Sequence, residues 1–323
     1  MFGLFKKKVI TRFPPSPTGP LHMGNVRTAL FDYYFARQKG GQFIVRVEDT
    51  DKARSQKIYE DNMLLSLEWL GIKKDNEEIL HQSERTAVYK KYLDRLIADG
   101  KAYISHETEG ENKEVVRFKN PNKTITFNDL VRGDITIDTT DLQDFIIARN
   151  INDPVYHLAV VVDDFEQGVT HIIRGEDHIS NTPRHILIQE AIGAPRPVYA
   201  HLPLILAADK SKLSKRKHGE MVSIDYYRSL GYLPEAIVNF LSLLGFNPTG
   251  DQELYSLEDF IKIFDFAKVQ KGGAIFNIEK LNWFNQQYIK KLSDADFKMH
   301  AEKFGAKDLP PQLLSLLKEK ISY

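Results

Sequence analysis

Residues 9–51 read VITRFPPSPTGPLHMGNVRTALFDYYFARQKGGQFIVRVEDTD, and the rest of the chain is organised around this stretch. Val9 to Phe13 is a mostly apolar, β-rich run, Val26, Leu30, Tyr33 and Tyr34 recur at helical spacing, and Gly40-Gly41 supplies a stop before Phe43 to Val47 extends again. The pattern predicts a strand, a crossover helix and a second strand, the two strands being parallel neighbours in a doubly wound sheet. Between strand and helix, Pro14-Pro15-Ser16-Pro17-Thr18-Gly19-Pro20 is a stiff loop short of amide hydrogens, which keeps it out of a sheet ladder. The helix begins at Leu21-His22-Met23-Gly24-Asn25. In a doubly wound sheet the helix N-termini that follow strands face the ligand crevice and attract anions, so His22 and Asn25 are expected to look at a phosphate. A loop histidine with no task is the plain alternative.

Two charged residues sit at the ends of these strands. Arg12 lies inside an apolar run, where a guanidinium pointing from the strand end suits a bidentate grip on a carboxylate. Glu48 is placed to hold an ammonium group. A salt bridge between the two across adjacent strands is the structural alternative.

The chain has 323 residues, 42% hydrophobic and 27% charged, which fits a globular protein of two or three units. No apolar run reaches the roughly 18 residues of a membrane span. The opening Met1-Phe2-Gly3-Leu4-Phe5 and Lys6-Lys7-Lys8 lack the apolar core of a signal peptide, so a cytoplasmic location and no membrane association are expected. The absence of cysteine excludes disulfides, thiolate metal sites and cysteine nucleophiles. With 44 basic and 44 acidic side chains the net charge is zero, which argues against indiscriminate polyanion binding and leaves a local basic face open. We expect a monomer.

Downstream, helices are expected at about Ser55 to Leu70, which Asp49 or Thr50 would cap, and at about Ser83 to Asp99. From Lys101 to about Pro154, polar turns separate short alternating strands such as Glu114 to Phe118 and Asp134 to Asp138. This reads as an α/β insertion, distinct from the doubly wound core and spanning about 84 to 154 with its leading helix. Tyr156 to Val162 reads as a continuous apolar strand and His171 to Arg174 as another. A helix follows from about Pro183 to Ile192 with Thr182 as its cap, and Val198 to Leu206 is again extended. Beyond Ser223 the pattern is helical throughout. The expected class is therefore α/β, with a Rossmann-type doubly wound parallel sheet in two halves (1–83 and 155–222), the insertion at 84–154, and an all-helical domain at 223–323.

Three constellations carry chemistry: Pro14 to Asn25, Arg174-Gly175-Glu176-Asp177-His178, and Lys212-Leu213-Ser214-Lys215-Arg216. Each follows a predicted strand, so all three are expected to open onto one edge of one sheet. A lysine-rich loop is usually a solvated face. Two lysines around a serine on a mobile loop can also neutralise charge developing on an α-phosphate and a leaving pyrophosphate.

RFPPSPTGPLHMGN, RVEDTD, VVDD followed by IIRGEDH, and KLSKR together resemble the bacterial glutamyl-tRNA synthetases, from about Val9 to about Leu292. The resemblance implies a class I enzyme that uses ATP to activate L-glutamate and transfers it to the terminal ribose of tRNA(Glu), with Mg2+ on the phosphates. It implies that His22, Gly24 and Asn25 match the HIGH signature at ATP, with Thr18 also on ATP. Lys212, Ser214 and Lys215 match the KMSKS loop, and Arg12, Ser16, Glu48, Tyr156 and Arg174 match glutamate-binding positions. HMGN departs from HIGH at Asn25. The cysteine-based zinc site of many relatives cannot exist here in its usual form, which leaves His106, Glu107 and Glu109 as a metal set in principle and as a solvated loop otherwise. The chain stops at Tyr323 within or just after the stem-contact helices, so an anticodon-binding region is expected to be absent, through truncation or natural brevity. Glutamyl-queuosine tRNA(Asp) synthetases and a non-catalytic tRNA-binding relative are the alternatives.

Overall fold

The computed structural model describes residues 8–108 and 113–323. Met1–Lys7, read above against a signal peptide, and Glu109, named above as a metal ligand in principle, lie outside the described residues. In chain order the elements begin with β1 (Ile10–Phe13), α1 (Met23–Gln38), β2 (Gln42–Val47), α2 (Lys57–Trp69), β3 (Leu80–His81) and α3 (Thr86–Ala98). Then come β4 (Ala102–His106), β5 (Glu114–Phe118), β6 (Thr124–Asp129), β7 (Gly133–Asp138), β8 (Phe145–Asn150) and β9 (Asp153–Pro154). Next are α4 (Tyr156–Glu166), β10 (His171–Gly175), α5 (Thr182–Ile192), β11 (Val198–Leu202), β12 (Ile205–Leu206) and α6 (Lys215–His218). The last are α7 (Ile224–Ser229), α8 (Pro234–Leu243), α9 (Leu257–Ile263), β13 (Ala274–Ile275), α10 (Ile278–Lys291), α11 (Asp294–Lys303) and α12 (Pro311–Lys320). The parallel α/β sheet and the helical region expected from the sequence are both present.

These elements gather into two compact units. One takes the chain up to Thr18, Lys39–Lys57 and Lys74–Leu202; the other takes Gly19–Gln38, Ile58–Lys73 and Pro203–Tyr323. In the first unit β1, β2 and β3 form a parallel sheet, with Arg12 opposite Ile44. Thr170 N–H donates to the Ile10 carbonyl at 3.0 Å, which sets β10 beside β1. β10 pairs in parallel with β11, and β11 with β6, whose antiparallel partner is β7. β4, β5, β8 and β9 make a separate antiparallel sheet. The core is largely aliphatic, with Ile44, Val116, Ile147, Leu158, Val162, Ile172 and Ile186 buried alongside aromatic residues such as Tyr89, Phe118 and Tyr199.

Several expectations are corrected here. Tyr156 to Val162 is the start of helix α4, not a strand: a short run buried on every side has no periodicity to separate the two. The β6–β7 hairpin is not detached from the core, because it extends the β10–β11 sheet through the pair Tyr199–Asp129. Val198 to Leu206 breaks at Pro203 into β11 and β12, and β12 pairs with β13 in the second unit. The three constellations therefore do not share one sheet edge. β13 also interrupts the region read as helical throughout. Asp49 is not a cap for α2; its carboxylate accepts Ser83 N–H at 2.8 Å and the Ser83 hydroxyl at 2.6 Å.

In the second unit α1 is buried almost all round. Phe31 lies 5.0 Å from Phe264, Tyr34 stacks on Phe260 at 5.6 Å, and the Tyr34 hydroxyl meets Ser242 at 2.6 Å. Arg27, on the same helix, donates to the Pro203 and Leu244 carbonyls, a polar tie inside an aromatic core.

Candidate active site

In the first unit, charged side chains from β1, β2 and α4 meet in a buried network. Arg12 Nε donates to Asp164 Oδ1 at 3.2 Å, and its Nη1 reaches the Ile173 carbonyl at 3.4 Å; the two side chains are 2% and 6% exposed. Arg46 meets Asp164 at 2.8 Å, Glu48 at 2.9 Å and Gln167 at 2.9 Å. The neighbouring Asp163 lies 4.0 Å from Arg46 Nε and accepts from Gln82, Arg85 and the Tyr89 hydroxyl at 2.7–2.8 Å. Two acidic residues in the last turns of a helix oppose its dipole, and the guanidiniums offset that cost. Burial pushes the Asp164 carboxyl up, but Arg12 and Arg46 outweigh it and hold it below its ordinary value. For Glu48 burial wins over Arg46, and its carboxyl lies above its ordinary value. A buried carboxylate in that condition is stabilised by an incoming cation.

Tyr156 opens α4 with its hydroxyl 3.2 Å from His178 Nδ1, and burial pushes the phenol up to about 12. Arg174, at the end of β10, is held on four sides. Its Nε donates to His201 Nε2 at 3.2 Å and its Nη1 meets His185 Nδ1 at 3.1 Å. Its Nη2 donates to the Thr182 hydroxyl at 2.8 Å and the His178 carbonyl at 3.4 Å. Thr182 is thus not the cap of α5. It stands in the first helical turn and spends its oxygen on Arg174. His201 Nδ1 meets Asp129 at 2.6 Å, and His157 Nδ1 meets His185 Nε2 at 3.2 Å.

The proline loop is pinned through its carbonyls, the only hydrogen-bonding backbone groups that proline keeps. Glu48 N–H donates to the Pro15 carbonyl and Gln56 N–H to the Pro17 carbonyl, both at 3.0 Å, while Thr18 N–H closes on the Ser16 carbonyl at 2.9 Å. The Ser16 and Thr18 side chains stay exposed.

The phosphate-type signatures belong to the second unit. His22 Nδ1 accepts Gly24 N–H at 3.1 Å and Asn25 N–H at 3.4 Å, so the exposed ring caps α1. A Cβ on Gly24 would stand 3.1 Å from that ring and press against it. His22 pairs with Ser223, and Ile224 N–H donates to the Leu21 carbonyl at 3.0 Å, which ties the start of α1 to the segment just after the lysine motif. The motif begins in a tight turn: Lys210 takes a positive φ of 63°, Ala207 N–H reaches the Ser211 carbonyl at 2.8 Å, and Lys212 pairs with Leu206. Ser214 N–H donates to His218 Nδ1 at 3.2 Å across the single turn of α6. Lys212 and Lys215 are exposed, and Lys215 lies 3.4 Å from Glu220.

The model of a family described as tRNA synthetases class I (E and Q), catalytic domain, matches residues 8–114 and 105–283. The chain belongs to this family of class I tRNA synthetases. Among its relatives, the glutamate–tRNA ligase of Aquifex aeolicus (strain VF5) is 46% identical over 327 residues, covering 90% of this chain and 68% of the relative. That of Bacillus subtilis (strain 168) is 39% identical over 374 residues, covering 98% and 77%. The crystal structure of a glutamate tRNA ligase from Elizabethkingia meningosepticum CCUG26117, in complex with its amino acid, superposes with a TM-score of 0.90 at 34% identity, over 98% of this chain and 78% of that one.

Within this class I synthetase, sequence reasoning passed over Arg46, Asp163, Asp164, Asp129, His157, His185 and His201 as site residues. The available signals were charge in apolar surroundings: Arg46 inside FIVRV, the Asp163-Asp164 pair behind a run of valines, and His201 in VYAHL. Of the metal set considered above, Glu107 is taken by Arg117 at 2.9 and 3.1 Å, and among the described residues no cluster of three or more histidine or acidic groups is placed to hold an ion. Among them, too, no helix is long and apolar enough to cross a membrane.

Proposed function

We propose that this chain activates L-glutamate with ATP to give glutamyl adenylate and pyrophosphate, and then transfers the glutamyl group to the 3′-terminal ribose of tRNA(Glu). One observation carries the reading: in one unit, a buried Glu48 raised above its ordinary value lies in the same charged network as Arg12, with Arg174 and Tyr156 converging from β10 and α4. An ammonium suits Glu48 and a carboxylate suits the guanidiniums, which is the charge pattern of an acidic amino acid. Ser16, on the exposed loop, supplies a hydroxyl to the same substrate.

In the first step an α-carboxylate oxygen of glutamate attacks the α-phosphorus and pyrophosphate departs. The nucleophile is already anionic, so no protein base is needed, and the residues act by position and charge. Thr18, His22, Gly24 and Asn25 receive the ATP phosphates: Gly24 leaves the backbone open and the exposed His22 ring stands at the head of α1. Lys212, Ser214 and Lys215 meet the pyrophosphate charge as it forms. Magnesium enters with ATP as part of the substrate. In the second step the ribose hydroxyl attacks the adenylate carbonyl and AMP leaves. The reading implies action as a monomer in the cytoplasm, where tRNA is charged for protein synthesis.

Aminoacylation with labelled glutamate tests this. Label on tRNA(Glu) is expected. Label found only on tRNA(Asp), or on neither, contradicts it.

A further inference from the structure

Arg12, Arg46, Arg85 and Arg174 are buried or half-buried around the charged centre of the first unit, and Arg174 is treated differently from the other three. Arg12, Arg46 and Arg85 each contact an aspartate or glutamate directly. Arg174 has no carboxylate among its hydrogen-bond partners in the described residues: it donates to two imidazole nitrogens, a hydroxyl and a carbonyl. A guanidinium has no lone pair to offer, so each nitrogen that meets it must be an acceptor and each of those rings neutral. The tautomers follow. His201 accepts at Nε2 and donates from Nδ1 to Asp129, which keeps that carboxylate one ring away from Arg174. His185 accepts at Nδ1 and donates from Nε2 to His157.

We propose that His185, His201 and Thr182 are positioning residues that fix Arg174 through neutral acceptors, so that its guanidinium is rigid yet keeps its full positive charge for a substrate carboxylate. A carboxylate in any of these places would hold Arg174 as firmly and cancel the attraction. The inference rests on the assignment of Arg174 to the glutamate substrate. Burial, with Arg174 close by, pushes His185 well below its ordinary value, and it takes His157 and His178 down to about 4, consistent with a cage that stays uncharged.

Two matched pairs test it: His185→Asn against His185→Asp, and Thr182→Asn against Thr182→Asp. Within each pair size and shape are nearly equal and only the charge facing Arg174 differs. Each aspartate variant should have a KM for glutamate at least about tenfold above its asparagine partner, as expected when a buried charge loses its role to an internal partner. The KM for ATP should match and the melting temperature should be equal or higher. Thr182 lies in the first turn of α5, where an acid is tolerated, so that pair remains informative if substitutions at the buried His185 impair folding. Equal glutamate KM values within the Thr182 pair would overturn the proposal. Arg174→Gln separates the two layers: if it leaves the glutamate KM unchanged, the assignment of Arg174 itself fails, whereas a raised KM with equal Asn and Asp partners defeats the cage alone.

Discussion

The Arg12–Asp164 pair and the Lys215–Glu220 pair use the same elementary attraction in opposite settings. Arg12 and Asp164 are 2% and 6% exposed, and Asp164 is shared with Arg46. Lys215 and Glu220 are 53% and 65% exposed and meet at 3.4 Å. In the first case folding has already spent the desolvation free energy, and the geometry is set before any ligand arrives. In the second, water screens the pair, its worth is about 0–1 kcal/mol, and the lysine is released readily to another anion. On the function proposed above, the difference teaches a division of labour: recognition of the amino acid is built into the fold, while the charge that meets the phosphates is supplied on demand.

The largest effect expected from this contrast is on stability. Asp164→Asn strands Arg12 and Arg46 without their shared carboxylate, and urea denaturation should show a loss of about 3–5 kcal/mol. A loss below about 1 kcal/mol would mean that the network is no more organised than a surface pair. Lys215→Ala should leave the urea midpoint unchanged and slow glutamate-dependent pyrophosphate exchange by about 100-fold, the scale for one missing charge donor in a transition state. A shifted midpoint would show that the lysine turn is also structural.

A smaller effect should appear with pH. His157 and His178 fall from an ordinary 6.5 to about 4, burial first and the nearby guanidiniums second. The unfolded chain therefore takes up these protons at a higher pH than the folded one. Their stabilising contribution is complete above 6.5 and is lost as pH falls from 6.5 through 4. Thermal midpoints should decline across that window, and His157→Asn should flatten the decline. An unchanged slope in that variant would place the cause elsewhere.

Much of this was legible in residues 9–51. Strand, proline loop, helix and strand form where spacing put them, and His22 stands at the head of α1. Arg12 and Glu48 were legible as charged residues at strand ends, but not the partners they take, Asp164 and Arg46. Those partners depend on α4, whose valines read equally well as a strand. A strand there would send Asp163 and Asp164 to opposite faces of a sheet; the helix keeps both beside Arg46, with Asp163 also reaching Gln82, Arg85 and Tyr89 and Asp164 reaching Arg12. The histidines around Arg174 come from α4, β10–α5 and β11, up to 44 residues apart in sequence from His157 to His201. No local pattern joins them. The same holds for β6 and β7, whose place beside β11 follows from non-local contacts: Tyr199 pairs with Asp129, Leu130 N–H donates to the Tyr199 carbonyl at 2.9 Å and His201 N–H to the Asp129 carboxylate at 3.0 Å.

The division of labour is tested most directly by steady-state pyrophosphate exchange on Glu48→Gln and Lys215→Ala, with glutamate as the varied substrate. Glu48→Gln should raise the KM for glutamate, and Lys215→Ala should lower kcat at an unchanged glutamate KM. Parallel changes in both parameters for both variants would contradict it.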